Sequence, residues 1–125
     1  MRKSVKVLVM LGRLLGVVQI IVGLAMWMHV LPGVAAFHTA VGSIFVLVLW
    51  VVAVIALFAL PQRTIPLFAL LWGGVLLWFG IAQTTFLVGG SHWAVRLAHL
   101  LLGVAALGLI EALGGAMRRN EAPAE

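Results

Sequence analysis

Four long runs of apolar residues make up almost the whole chain. They cover roughly Val7–Met28, Val34–Leu60, Ile65–Val88 and Trp93–Leu113. A helix needs about 20 apolar residues to cross the hydrocarbon core of a bilayer. The runs are also too long and too continuous for the strands of a membrane barrel, in which apolar and polar residues alternate. The pattern therefore predicts an all-α fold, an integral membrane four-helix bundle.

Short segments rich in glycine, proline and polar residues separate the runs. Ser91, after two glycines, is suited to cap the start of the fourth helix, and Gly114-Gly115 predicts its end. Other breaks fall at Pro32-Gly33 and over residues 61–66. We expect one transmembrane domain over residues 1–117 and a short polar cytoplasmic tail over residues 118–125.

Composition agrees with a membrane protein and removes several other classes. Hydrophobic residues make up 65% of the 125 residues, charged residues only 9%, and the mean hydropathy is +1.26. Soluble domains are about half apolar and a quarter charged, so a soluble or disordered chain is excluded. The chain has no cysteine, which excludes disulfides, thiolate metal sites, iron–sulfur clusters and covalently attached haem.

Basic residues lie mostly at one end of the predicted bundle. Only Arg96 falls near the other end. Because basic residues collect on the cytoplasmic side of membrane proteins, we expect both termini in the cytoplasm and a multi-pass protein of the cell inner (plasma) membrane. The seven residues on that side are Arg2, Lys3, Lys6, Arg13, Arg63, Arg118 and Arg119.

Two histidines share a local pattern that points to a cofactor. His38 precedes Gly42 by one helical turn, and His99 precedes Gly103 in the same way. The second and fourth helices run in the same direction, so both pairs lie at a similar depth. A flat macrocycle ligated at both histidines needs bare backbone beside it, which glycine supplies. Ionisable residues inside a span are functional candidates, and four-helix bundles hold cofactors between facing helices.

The residues around these histidines resemble a known family. Gln19-x-x-x-Gly23, Leu31-Pro32 and the segment 34–38 are similar to one helix pair of the haem A synthase family, and the segment 95–101 resembles its other histidine helix. The resemblance covers four spans, half of that eight-helix fold, and extends more loosely to four-helix membrane b-type cytochromes. It implies that His38 and His99 ligate haem iron. The family's outer cysteine pair and catalytic carboxylate are absent, so haem A synthesis by this chain alone is not implied.

The resulting hypothesis is a membrane b-type cytochrome that binds one non-covalent haem b. His38 and His99 are the predicted iron ligands, Gly42 and Gly103 make room for the ring, and Arg96 pairs with the propionates because guanidinium binds carboxylates well. Two histidines fill both axial positions of iron, which favours electron transfer over oxygen binding. A quinone or an outer-side electron carrier would be the redox partner, and the lipid bilayer surrounds a chain that could form a homodimer or join a larger complex. Nucleic acid is not an expected partner.

Two other interpretations remain open at the level of sequence. The chain could be a cofactor-free small membrane subunit or transporter with interfacial histidines, which act as polar contacts or pH sensors. It could also hold a divalent metal ion with four histidines, His29, His38, His92 and His99. This second alternative lacks carboxylate ligands.

Further polar residues have predicted structural roles. Arg13 and Glu111 fall at similar depths in the first and fourth helices and are expected to pair. Gln19 and Gln83 are expected to bond across helices, or to meet a quinone headgroup. Gly12-x-x-x-Gly16 is a small-residue packing motif typical of membrane helices.

The orientation can be tested with reporter fusions. A reporter fused after residue 125 should give the cytoplasmic signal, and one inserted beside Gly90 should give the opposite signal, because of the distribution of basic residues. A cytoplasmic signal from the Gly90 insertion would reverse the orientation and move the histidines to the cytoplasmic side.

Overall fold

Four helices account for most of the protein. A computed structural model describes residues 3–121 and contains α1 (Lys3–Trp27), α2 (Ala35–Ala59), α3 (Thr64–Ala82) and α4 (His92–Asn120). A 3₁₀ turn over Gln83–Thr85 extends α3. All four helices are long and apolar enough to cross a membrane. The predicted all-α four-helix bundle with candidate transmembrane helices is thus confirmed.

The third helix is shorter than the apolar run suggests. It ends at Ala82 rather than near Val88, and the chain then tightens into the 3₁₀ turn. Leu87 and Gly89 both take positive φ, 43° and 103°, which is a left-handed conformation that cannot continue a helix. Residue hydrophobicity alone does not reveal this turn, because Phe86, Leu87 and Val88 are all apolar.

The fourth helix is longer than predicted, since Gly114-Gly115 does not end it. The helix continues to Asn120. Gly114 is buried against α1, and a Cβ there would lie 3.0 Å from a methyl group of Val9. Gly114 therefore serves close packing of α4 against α1. Residues 118–120 of the predicted tail are helical, and residues 122–125 lie outside the described residues.

The packed core lies at one end of the bundle. Its fully buried centre comes from the later turns of α2 and α4, where Leu49, Ile110 and Leu113 are inaccessible. α2 packs against each of the other three helices, whereas α1 and α3 do not meet within residues 3–121. The turns α1–α2 and α3–α4 lie at the other end, called here the histidine end, where fewer side chains are buried.

The two hairpins α1–α2 and α3–α4 repeat one another. A shift of 57 positions pairs Gly23 of α1 with Gly80 of α3, and a shift of 61 positions pairs His38 of α2 with His99 of α4. Buried positions follow the same shifts, so the weak repeat in the sequence is also a repeat of packing. The buried pairs are Val9 and Pro66, Gly12 and Ala69, Gly16 and Gly73, Phe45 and Ala106, Leu49 and Ile110, and Val52 and Leu113.

Polar bonds join the hairpins at equivalent positions. Arg13 donates to both carboxylate oxygens of Glu111, with Nε–Oε1 at 2.6 Å and Nη2–Oε2 at 2.9 Å. Trp50 donates through Nε1 to the carbonyl oxygen of Leu70 at 3.0 Å. The shifts of 57 and 61 positions make Leu70 the counterpart of Arg13 and Trp50 the counterpart of Glu111. The α1–α4 and α2–α3 interfaces are thus hydrogen-bonded at equivalent positions of the repeat. The predicted ion pair between Arg13 and Glu111 is confirmed.

Candidate functional site

The two predicted ligand histidines face each other inside the bundle. His38 lies in the first turn of α2 and His99 in the second turn of α4. Their ring centroids are 6.2 Å apart, and the ring planes are inclined at 65°. Both side chains are partly buried. The depth match expected from the sequence is therefore a direct juxtaposition of two imidazoles.

Each ring rests against a glycine on the neighbouring helix. A Cβ at Gly23 would lie 3.1 Å from Cε1 of His38, and a Cβ at Gly80 would lie 3.1 Å from Cε1 of His99. Such a contact is tighter than side chains normally make. Any larger residue would therefore push the ring toward the centre of the bundle. Phe79 stacks on His99, with centroids 6.1 Å apart and planes within 11°.

A cavity of about 360 Å³ surrounds the two rings, within the size range of small-molecule sites. All four helices line it, and Phe45 is among the residues at its wall. The five residues predicted to bind a cofactor all line this cavity: His38, His99, Gly42, Gly103 and Arg96. The five residues predicted from the sequence therefore share one cavity.

The two predicted spacer glycines differ in their surroundings. A Cβ at Gly42 would collide with the amide nitrogen of Gln19, so this bare backbone is already covered. A Cβ at Gly103 would meet nothing within 4 Å. The space beside Gly103 is therefore open to the cavity, whereas the space beside Gly42 is filled by a glutamine.

Buried polar atoms without partners collect at this site. The Nδ1 atoms of His38 and His99 and the Oε1 atom of Gln19 are inaccessible and make no hydrogen bond within the described chain. The amide nitrogen of Gln19 is used, because it donates to the carbonyl oxygen of His38 at 2.8 Å. Unpaired buried polar atoms are rare and call for an explanation. Here they point to hydrogen bonds or a ligand that complete the site.

A basic residue lies at the mouth of the cavity. Arg96 is partly buried and lies one turn before His99 on α4, and within residues 3–121 it makes neither a hydrogen bond nor an ion pair. His92 lies a further turn out, and its Nδ1 is 3.1 Å from the carbonyl oxygen of Phe86. A second, shallower opening is lined by Arg96, His92 and Thr84. Arg96 is thus available to an anionic group near the histidine end.

The remaining histidines do not complete a metal site with the central pair. His29 is exposed in the α1–α2 turn with φ of 58°. Among the described residues, no group of three or more histidine or carboxylate side chains could hold a metal ion. The four-histidine site considered from the sequence is therefore not formed, because the chain turns His29 outward.

The sequence does not assign two residues that shape the site, Gly23 and Gly80. Each lies against a histidine ring. Gln19 bonds across helices as predicted, but Gln83 donates to Gly80 within its own segment, at 3.2 Å. Aligning the two hairpins would have indicated the glycines, since each lies on the helix that precedes a histidine helix.

Comparison with protein-family models, with curated proteins and with solved structures finds no match for this chain.

Proposed function

We propose that this protein is a membrane b-type cytochrome that binds one haem through His38 and His99 for electron transfer. The observation that carries the proposal is the pair of facing imidazoles within one cavity, each set against a glycine. Two imidazoles on opposite sides of one metal ion, each bonded at about 2 Å, have ring centroids about 6 Å apart. The observed 6.2 Å agrees with that arrangement.

The residues present fit a non-covalent haem. His38 and His99 would hold the group through imidazole nitrogens, and the bound group would supply one-electron redox chemistry. Histidine Nδ1 atoms that carry no partner leave room for the hydrogen bonds that metal-bound histidines usually make. Gly103 offers bare backbone on the open side of the cavity, and Arg96 offers a cation to the carboxylates.

The proposed function also includes an orientation in a particular membrane. We infer an N-in/C-in orientation in the inner (plasma) membrane from the basic residues, which puts the histidine end on the outer side. A quinone or an outer-side electron carrier would then reach the cavity mouth. A homodimer or larger complex is compatible with the apolar surface but is not needed to complete the site.

Absorption spectroscopy of the purified protein tests the ligands. The reduced protein should show the sharp, split visible bands of a low-spin haem b. His38→Ala or His99→Ala should abolish or convert these bands because one axial bond is lost, while His29→Ala should leave them intact because His29 lies outside the cavity. Unchanged bands in both of the first two variants would refute the ligand assignment, and colourless protein from haem-sufficient cells would favour a cofactor-free subunit or transporter.

Gly103 tests whether a ring occupies the open side of the cavity. Gly103→Leu should lower haem occupancy several-fold, since overpacking a filled site costs about 1–3 kcal/mol, while membrane insertion persists because leucine favours it. Gly108→Leu is the matched control on the same helix, where a Cβ also meets nothing within 4 Å but the residue is exposed and outside the cavity. Equal haem-to-protein ratios in the two variants would assign Gly103 to helix packing alone.

Arg96 tests the electrostatics of the cavity mouth. Reduction adds an electron, so a nearby positive charge stabilises the reduced form and raises the midpoint potential. Arg96→Gln should therefore lower the potential in a redox titration, and the difference should shrink as salt rises because the residue is only partly buried. A potential that stays constant or rises would move Arg96 away from the cofactor and leave it to phosphate headgroups, the usual contact of arginine at a membrane surface.

A further inference from the structure

We propose that Gln19 is a positioning residue for His38: after a small side-chain rotation its Oε1 atom accepts a hydrogen bond from the Nδ1–H of the His38 ring, and so directs Nε2 toward the cavity. This inference rests on the proposed function, because the role of Gln19 is defined relative to an iron ligand. The tautomer measurement that tests it needs no haem. The hydrogen bond to Gln19 would make His38 chemically different from His99.

The first step is the position of the glutamine. Gln19 lies one turn before Gly23 on α1, so both residues face the start of α2. Gly23 contacts the ring of His38, and the amide nitrogen of Gln19 donates to the carbonyl oxygen of the same residue. Since that bond uses the nitrogen, the amide orientation is fixed and the oxygen remains to accept.

The second step is the matching of two unsatisfied atoms. Oε1 of Gln19 is an acceptor without a donor, and Nδ1 of His38 is inaccessible and unpaired. An imidazole that binds a metal through Nε2 carries its proton on Nδ1, which is then a donor that seeks an acceptor. The two atoms are not bonded to each other as they stand, and a small side-chain rotation that joined them in one hydrogen bond would satisfy both. The nearby hydroxyl of Ser43 does not donate to the free amide oxygen, because its proton is given to the carbonyl oxygen of Thr39.

The third step is the contrast within the chain. The shift of 57 positions that pairs Gly23 with Gly80 pairs Gln19 with Leu76. Leu76 lines the same cavity but offers no acceptor, and Nδ1 of His99 is also unpaired. The protein therefore has one histidine with a neighbouring glutamine amide, His38, and one without it, His99.

The test is ¹⁵N NMR of histidine-labelled, full-length protein made in haem-deficient cells, with His38 and His99 assigned from single-residue variants. The His38 ring should be held as the Nδ1–H tautomer, and the His99 ring should populate both tautomers. Gln19→Leu should give His38 the mixed signal of His99, and Leu76→Gln should shift His99 toward the Nδ1–H form. Gln83→Leu is the control, because it removes a glutamine at the same end of the bundle without touching His38.

A second readout uses haem-loaded protein. A hydrogen-bond acceptor on Nδ1 makes the imidazole a stronger donor to the metal, which favours the oxidised form. Gln19→Leu should raise the midpoint potential, and Leu76→Gln should lower it, while both keep the six-coordinate spectrum. A His38 tautomer unaffected by Gln19→Leu would overturn the inference, whatever Leu76→Gln does to His99. Failure of the protein to bind haem would refute the proposed function but not this inference, because the tautomers are measured without haem.

Discussion

The close contact of two imidazole rings with the backbone of neighbouring helices is the constraint on which the histidine end depends. His38 meets Gly23 and His99 meets Gly80 at the same distance. Since neither glycine carries a side chain, each hairpin closes around its own ring. The rings are pressed toward the centre of the bundle, where they meet each other. Their facing arrangement therefore follows from helix packing within each hairpin and needs no contact between the two rings.

The cavity follows from an uneven distribution of side-chain volume. Toward the opposite end, Leu49, Ile110 and Leu113 fill the centre completely, and close packing of this kind leaves no room for a ligand. Toward the histidine end, the residues that line the cavity include five glycines among larger apolar side chains, and these glycines leave part of the cross-section unfilled. The apolar half thus holds the helices together, and the other half keeps a space open between them.

The sequence predicts the helices well because a bilayer imposes a length and an apolar composition that are easy to recognise. It predicts the ends less well, since Gly114 serves packing against Val9 rather than termination, and Leu87 leaves the helix although it is apolar. The predicted cavity residues share one space because periodicity fixes which residues lie on one helix face. The roles of Gly23 and Gly80 required the distance between helices, which periodicity within a helix does not contain.

The two hairpins are alike in their core and different in their cavity. Some buried pairs, such as Leu49 and Ile110, are similar in size, whereas Phe45 and Ala106 are not. Positions that line the cavity differ in polarity as well: Gln19 corresponds to Leu76 in the repeat, and the counterpart of Arg96, 61 positions earlier, is Ala35. The unpaired amide oxygen accordingly lies on the His38 side and the charge on the His99 side. Two histidines held by a repeated frame thus have two different environments.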